Sequence, residues 1–275
     1  MTLDDLQLMF NRALFLTFNK KKLLCVFSVL AGCGLLAVFF RGLAFTSGYW
    51  MSLSLSFLPI FLCSGILLAL GIFLVRIYHD EVKGKEVSMR SVFLKSWDIL
   101  LGAAYFAFPI MLIYLVAWTG LGFFLLLKEI PSIGEPIGVV LSFAPFLLNL
   151  FSLLLCVFSL GILFFVAPMI ALQGKVPVAQ VSEGLMKRIK ENVFLNLLMS
   201  LVAISPLLIS VFLLTLAAFM SGSVSETTVT SLQVALTWFF MMIPFVALLA
   251  PSVTFFFQFA AEVHVFFKKR QQAAQ

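Results

Sequence analysis

Residues 174–193, GKVPVAQVSEGLMKRIKENV, hold the pattern on which the fold prediction depends. This segment is polar and amphipathic, lies between two very apolar runs, and predicts a short helix whose pattern recurs twice earlier in the chain. Of the 275 residues, 63% are hydrophobic and 11% are charged. Since soluble domains carry about 25% charged residues, the composition predicts a polytopic membrane protein.

Six apolar runs are long enough to cross a bilayer, which takes about 20 residues. They cover residues 23–40, 49–77, 99–127, 139–172, 194–220 and 232–267. A signal peptide is the alternative interpretation of the first run, but the segment before it is long, patterned and acidic at Asp4 and Asp5. The predicted fold is all-α: one integral membrane domain over 1–275, with six transmembrane helices and two or three cytoplasmic amphipathic helices.

The basic residues fall mostly on one side of these runs. Of the 18 Lys and Arg residues, 16 lie on the odd-numbered flanks, and only Arg41 and Lys128 lie on the others. The 16 are Arg12, Lys20, Lys21, Lys22, Arg76, Lys83, Lys85, Arg90, Lys95, Lys175, Lys187, Arg188, Lys190, Lys268, Lys269 and Arg270. By the positive-inside rule we expect a bacterial inner-membrane protein with both termini in the cytoplasm. No continuous basic face is evident, which argues against nucleic-acid binding.

An internal repeat is indicated when Arg12, Lys95 and Lys187 are aligned. The positions six and two before, and two and six after, are apolar in all three copies. They are Leu6, Phe10, Leu14, Phe18, Met89, Phe93, Trp97, Leu101, Val181, Leu185, Ile189 and Val193. The sequence Leu-Gly-Ile also recurs at 70–72 and 160–162. We predict three units, 1–84, 85–174 and 175–275, each an amphipathic helix followed by two membrane helices; chance is the alternative, because apolar residues are common here.

The amphipathic segments predict contact with lipid or with a partner. A helix with an apolar stripe and a basic opposite face is typical of one lying on the inner leaflet, although the stripes could instead pack on one another. The expected partners are membrane lipids, anionic ones included, or another membrane protein. The residues expected to make these contacts are Phe10, Arg12, Phe93, Lys95, Leu185 and Lys187.

Polar residues within or beside the apolar runs are candidates for a membrane site. They are Arg76, Asn149, Gln258 and Glu262. The alternatives are that Arg76 extends to the interface, that Asn149 bonds a neighbouring helix, and that Glu262 lies at the interface. The contiguous residues 79–81, His-Asp-Glu, are interpreted as a solvated helix end.

No enzyme, cofactor or metal site is predicted. The chain has two His residues and none of the hydrolase, metalloprotease or nucleotide-binding fingerprints. Four cysteines lie inside apolar runs without a Cys-x-x-Cys pair and are interpreted as small buried side chains. Because proline interrupts several runs and buried charge is scarce, a carrier or flippase for a lipid-like or small apolar solute is the alternative to a lipid-engaging protein.

Residues 166–197, VAPMIALQGKVPVAQVSEGLMKRIKENVFLNL, resemble a signature of a loose bacterial group of six-helix membrane proteins of unknown function. The group includes the membrane domain that precedes some glycerophosphodiester phosphodiesterases. The shared features are Ala167-Pro168, Gly174, the helix 178–188 and Lys190-Glu191-Asn192. The resemblance implies the six-helix layout; since the phosphodiesterase domain is not present, it implies no catalytic residue.

Overall fold

The computed structural model describes residues 3–45, 47, 49–84, 88–104, 107–128, 143–173, 193–220 and 231–273, and every element in these ranges is an α-helix. The eight helices are α1 (Leu3–Thr17), α2 (Lys20–Phe45), α3 (Tyr49–Val82), α4 (Met89–Ala104), α5 (Ala107–Lys128), α6 (Ala144–Gln173), α7 (Val193–Met220) and α8 (Ser231–Ala273). Residues 174–192, with Leu185 and Lys187, lie outside the described residues.

Six helical stretches are long and apolar enough to cross a membrane. They are Lys20–Ala44, Ser54–Val82, Met89–Phe123, Ala144–Leu172, Phe194–Met220 and Leu236–Lys269. The predicted all-α class and the six spans are therefore confirmed. With 43 residues at ~1.5 Å per residue, α8 is roughly 65 Å long, about twice the hydrocarbon thickness of ~30 Å. One part of α8 must therefore extend out of the hydrocarbon.

Local sequence explains where the helices begin and end. Asn19 caps α2, since its side-chain oxygen accepts a hydrogen bond from the backbone N–H of Lys21 at 3.1 Å. After α3, Gly84 adopts φ 69°, and its N–H donates to Glu81 O at 2.9 Å. Only glycine adopts this left-handed conformation without steric cost, so Gly84 ends the helix.

Two helices differ from the predicted spans. The second run was predicted to end at residue 77, but α3 continues to Val82 because the polar residues of its last turns bond to neighbouring helices. The third predicted span, 99–127, includes Pro109, but Pro109 lies in the first turn of α5. Backbone N–H groups in the first turn of a helix have no partner within the helix, so proline loses no hydrogen bond there.

A proline inside α7 is compensated by a neighbouring side chain. Pro206 has no N–H to donate to the carbonyl of Val202, and the hydroxyl of Ser205 donates to that carbonyl instead.

The centre of the bundle is α3, the most buried of the six spans. It contacts α6 and α8, which also contact each other. Around these three, α2 packs on α3 and α8, α5 on α3 and α6, and α7 on α8. The short helices are placed differently, since α1 packs on α8 and α4 packs on α3. The outer faces of α5, α6 and α7 carry many exposed apolar side chains, as expected for surfaces that meet lipid.

Candidate functional site

Most polar contacts between helices lie at one end of the bundle, where α2 begins and where α3, α6 and α8 end. Three contacts bring these ends together: Lys22 with Glu81, Tyr78 with Glu262, and Arg76 with the carbonyl of Ala171. We call this the basic end. Arg41 lies at the opposite end of α2, where its guanidinium is 5.5 Å from the ring centre of Trp238.

The first group at the basic end is the α1–α8 cluster, in which α1 docks on the C-terminal half of α8. The ring of Phe10 lies edge-on to Phe255 at 5.0 Å between centroids. Arg12 pairs with Glu262 at 3.4 Å, and the Thr17 hydroxyl lies 3.1 Å from Gln258 Oε1. Aromatic packing, an ion pair and a buried hydrogen bond together fix α1 on α8.

A second ion pair connects α2 and α3 beside this cluster. The Lys22 ammonium bonds Glu81, donates to the carbonyl of Leu16 at 3.0 Å, and has a side chain with no exposed surface. Tyr78, also on α3, donates its hydroxyl to Glu262. These contacts extend the α1–α8 cluster to four helices, because residues of α1, α2, α3 and α8 are all bonded within it.

The second group is the α3–α4 cluster, in which α4 docks on the last turns of α3. The ring of Phe93 lies edge-on to Phe73 at 6.2 Å and next to Trp97 at 5.1 Å. Arg76 donates to the Ser96 hydroxyl at 2.6 Å and to the carbonyl of Ala171 at 3.2 Å. One guanidinium therefore connects α3, α4 and α6.

The two clusters use the same sequence pattern. On α3 it is FLVRIYHD, residues 73–80, and on α8 it is FFFQFAAE, residues 255–262. In both, a Phe that packs on the short helix is followed three residues later by a polar side chain bonded to that helix, and seven residues later by an acid. The short helices match too, since Phe10 and Arg12 correspond to Phe93 and Lys95.

The two clusters differ in the balance of their charges and in the presence of a cavity. In the α1–α8 cluster, Arg12 and Glu262 form a pair and balance each other. In the α3–α4 cluster, Arg76, Lys95 and Asp80 line a cavity of about 230 Å³. Two cations and one carboxylate therefore line this cavity, and the lining carries an excess of positive charge.

The structure places three of the four predicted polar residues in the two clusters. Arg76 connects three helices in the α3–α4 cluster, and Glu262 pairs with Arg12 and Tyr78 in the α1–α8 cluster. Gln258 lies beside Glu262 in the same cluster. Asn149 belongs to neither cluster, and its buried side-chain oxygen accepts no hydrogen bond from the residues that the structure describes.

The apolar stripe predicted on α1 is rotated. Phe10 and Leu6 pack on the core, but Leu14 and Phe18 are exposed, and the buried positions are Met9, Ala13 and Thr17. On α4, Phe93, Trp97 and Leu101 keep exposed surface. The rotation follows from the i, i+4 spacing, since a stripe of that spacing drifts around a straight helix.

Sequence reasoning missed the ion pair of Lys22 and Glu81. The segment 79–81 was interpreted as a solvated helix end, whereas Glu81 neutralises a buried ammonium. The repeated pattern of Phe, a polar residue and an acid was the signal that could have located both clusters. Among the described residues no group of three His, Cys, Asp or Glu could hold a metal, and the four cysteines are free thiols.

Comparison with known proteins supplies no relative from which a role can be carried over. No known protein family, no curated protein and no solved structure matches this chain. Any role must therefore be inferred from the chain's own residues at the basic end.

Proposed function

We propose that this chain is a non-enzymatic multi-pass protein of the bacterial inner membrane whose basic end lies at the cytoplasmic leaflet and engages acidic lipid. The observation that carries the proposal is the surface of α4. Phe93 and Trp97 keep 43% and 47% of their surface exposed beside the exposed side chains of Arg90 and Lys95. Aromatic and basic side chains on one short helix are typical of contact with lipid headgroups.

The exposed face of α1 supports the same function. Leu8, Phe15 and Phe18 are exposed apolar residues, and Phe15 keeps 84% of its surface. Lys20 and Lys21 follow directly and are exposed as well. Because the opposite face of α1 is docked on α8, the helix can present these residues to a bilayer without leaving the bundle.

Charge distribution favours an acidic leaflet. The exposed basic residues Arg90, Lys95, Lys268 and Lys269 all belong to helix ends that meet at the basic end. Each basic residue near an acidic membrane surface contributes about 1 kcal/mol of attraction. With Arg41 held near Trp238 at the other end, the asymmetry supports cytoplasmic termini by the positive-inside rule.

A carrier for a lipid-like or apolar solute has less support. That hypothesis expects a polar or hydrated space at mid-membrane. The cavity beside Arg76 lies instead between the last turns of α3 and α6 and the first turns of α4. The proposal also agrees with the resemblance to the six-helix membrane domains, from which no catalytic residue is expected.

The test is lipid selectivity of the purified full chain. Native mass spectrometry in a neutral detergent compares retention of phosphatidylglycerol and phosphatidylcholine by the wild type and two variants. The double variant Arg90→Gln, Lys95→Gln removes two charges at the basic end, and Arg41→Gln is the control at the opposite end. We expect the double variant to bind the acidic lipid roughly thirtyfold more weakly, and Arg41→Gln to be unchanged.

Two results would count against the proposal. One is equal retention of acidic and zwitterionic lipid by the wild type. The other is an equal loss of acidic lipid in Arg41→Gln and in the double variant, since lipid binding would then not depend on which end of the bundle carries the charge. Co-purification of a stoichiometric membrane protein with no lipid preference would favour a protein partner at the same surface.

A further inference from the structure

We propose that the cavity of the α3–α4 cluster is a binding site for a phosphate group, and that the phosphate of an acidic lipid occupies it. The inference rests on the proposed function and names the ligand chemistry of one site at the basic end. The cavity is lined by Arg76, His79 and Asp80 of α3, Lys95 and Ser96 of α4, and Ala171 of α6.

The donors are arranged for an anion. Two hydrogen bonds from Arg76, to Ser96 Oγ and to Ala171 O, fix the plane of the guanidinium, and among the described residues its other N–H groups have no acceptor. Because Ser96 Oγ accepts from Arg76, its own proton is available to a ligand. Lys95 supplies a second, exposed cation that lines the same cavity. A guanidinium, an ammonium and a hydroxyl together suit the several acceptor oxygens of a phosphate.

The α1–α8 cluster provides an internal comparison. There the corresponding cation, Arg12, pairs with the corresponding acid, Glu262, which also accepts a hydrogen bond from Tyr78. At the α3–α4 cluster the aligned acid, Asp80, faces two cations, Arg76 and Lys95, and among the described residues it lies within ion-pair distance of neither, although its charge acts on the Arg76 guanidinium from a distance. One carboxylate against two cations leaves a net positive charge in the lining, which a bound phosphate would neutralise.

Size and surroundings favour a lipid headgroup. The volume of about 230 Å³ has ample room for a phosphate and lies somewhat below the ~300 Å³ at which pockets for small organic ligands begin. Phe93, Leu94 and Trp97 are exposed on the same short helix, where they can contact the acyl chains of the lipid whose phosphate is bound.

The test measures binding of dioctanoyl phosphatidic acid to the full chain in neutral detergent, with inorganic phosphate and glycerol phosphate as soluble probes. Lys95→Gln and Arg90→Gln change the same charge on the same helix, but only Lys95 lines the cavity. We expect Lys95→Gln to weaken binding at least tenfold, as for a lost charge-assisted hydrogen bond, and Arg90→Gln to weaken it no more than about fivefold. Arg76→Lys, which keeps the charge and loses the planar fork, should also weaken binding at least tenfold.

The outcomes separate this inference from the proposed function. Equal losses in Lys95→Gln and Arg90→Gln would overturn the phosphate site and leave diffuse attraction of acidic lipid standing. No preference of the wild type for acidic over zwitterionic lipid would overturn both. If binding is lost selectively in Lys95→Gln and phosphatidic acid binds more tightly than glycerol phosphate, the bound phosphate belongs to a lipid. Equal affinity for the two would overturn the claim that the ligand is a lipid and support a site for soluble phosphate compounds.

Discussion

At the scale of single residues, Lys22 illustrates how the basic end is stabilised. It belongs to a run of three lysines at the start of α2, yet its side chain is fully buried and bonds Glu81 and Leu16 O. A buried ammonium is stable only when it is paired and hydrogen-bonded. We expect Lys22→Gln to lower the free energy of unfolding by about 3 kcal/mol, because it leaves the Glu81 carboxylate without its counter-charge.

The measurement is the thermal unfolding midpoint in detergent. Lys21→Gln is the control, since Lys21 is exposed and its loss should cost less than about 0.5 kcal/mol. In the double variant Lys22→Gln, Glu81→Gln, part of the stability should return, because no charge is then left unpaired. A Lys22→Gln midpoint equal to that of Lys21→Gln would refute the structural role of the pair.

Gly71 and Gly161 give a second residue-scale prediction. The sequence pairs them through the repeated Leu-Gly-Ile, but a Cβ at Gly71 would overlap the buried ring of Phe257, whereas a Cβ at Gly161 would meet nothing within 4 Å. Gly71→Ala should therefore destabilise the chain by about 1–3 kcal/mol. Gly161→Ala should be neutral, or stabilising by up to about 1 kcal/mol through helix propensity. Unfolding midpoints in detergent decide this, and equal effects at the two positions would contradict the close approach of α3 and α8.

At the scale of helices, α1 is held on α8 by one aromatic cluster and a few polar bonds. Phe10→Ala removes the ring contacts with Phe255 and Phe259 and should weaken docking by about 2 kcal/mol. Hydrogen exchange of the α1 amides should then become faster while α3 is unchanged. Phe15→Ala, on the exposed face of the same helix, should have no effect. If both variants exchanged alike, α1 would not be docked through Phe10.

The alignment of short helices could be read from the sequence, but their partners could not. Phe10 and Phe93 are in register with Arg12 and Lys95, as the aligned positions predict. The rest depends on tertiary contact: Arg12 reaches an acid 250 residues away, and Arg76 reaches helices on either side of it. Local periodicity holds no information about such pairs, so the sequence named Glu262 and Arg76 as candidates without naming their partners.

At the scale of the whole molecule, the contacts between helices can be set beside the threefold repeat, which stays a prediction. The second membrane helix of each predicted unit is α3, α6 or α8, and these three are in mutual contact. The short helix of the second unit, α4, packs on the second membrane helix of the unit before it, α3. In the same way α1 packs on α8, as it would in a closed ring of three units. The surroundings of Gly71 and Gly161 differ, although the repeated Leu-Gly-Ile pairs these two positions.

Composition and charge patterning were enough to predict the helical class and the six spans, because hydrocarbon admits few other structures. They were not enough to predict helix ends. The extension of α3 beyond residue 77 depends on Tyr78 and Glu81 finding partners on α8 and α2, and these partners are set by the packing of the bundle.

The prediction at the scale of the whole molecule concerns the side of the membrane on which each end of the bundle lies. Lys83→Cys, just past α3, should react with a membrane-impermeant maleimide only after the inner membrane is permeabilised, because we propose that the basic end faces the cytoplasm. Ser47→Cys, between α2 and α3, should react in spheroplasts with an intact inner membrane. The four native cysteines lie within the membrane helices, and a chain without them is the background control. Labelling of Lys83→Cys before permeabilisation would show that the basic end faces the opposite side of the membrane.

The central claim is that the basic end meets acidic lipid through α4. Photo-crosslinking in nanodiscs tests it most directly, using an acidic phospholipid that carries a diazirine on its headgroup, followed by peptide mapping. We expect crosslinks in the peptide from Arg90 to Leu101 and in the last turns of α3, and we expect Lys95→Gln to reduce them more than Arg90→Gln. Crosslinks confined to the opposite end, around Arg41, or equally frequent with a zwitterionic analogue, would contradict the account.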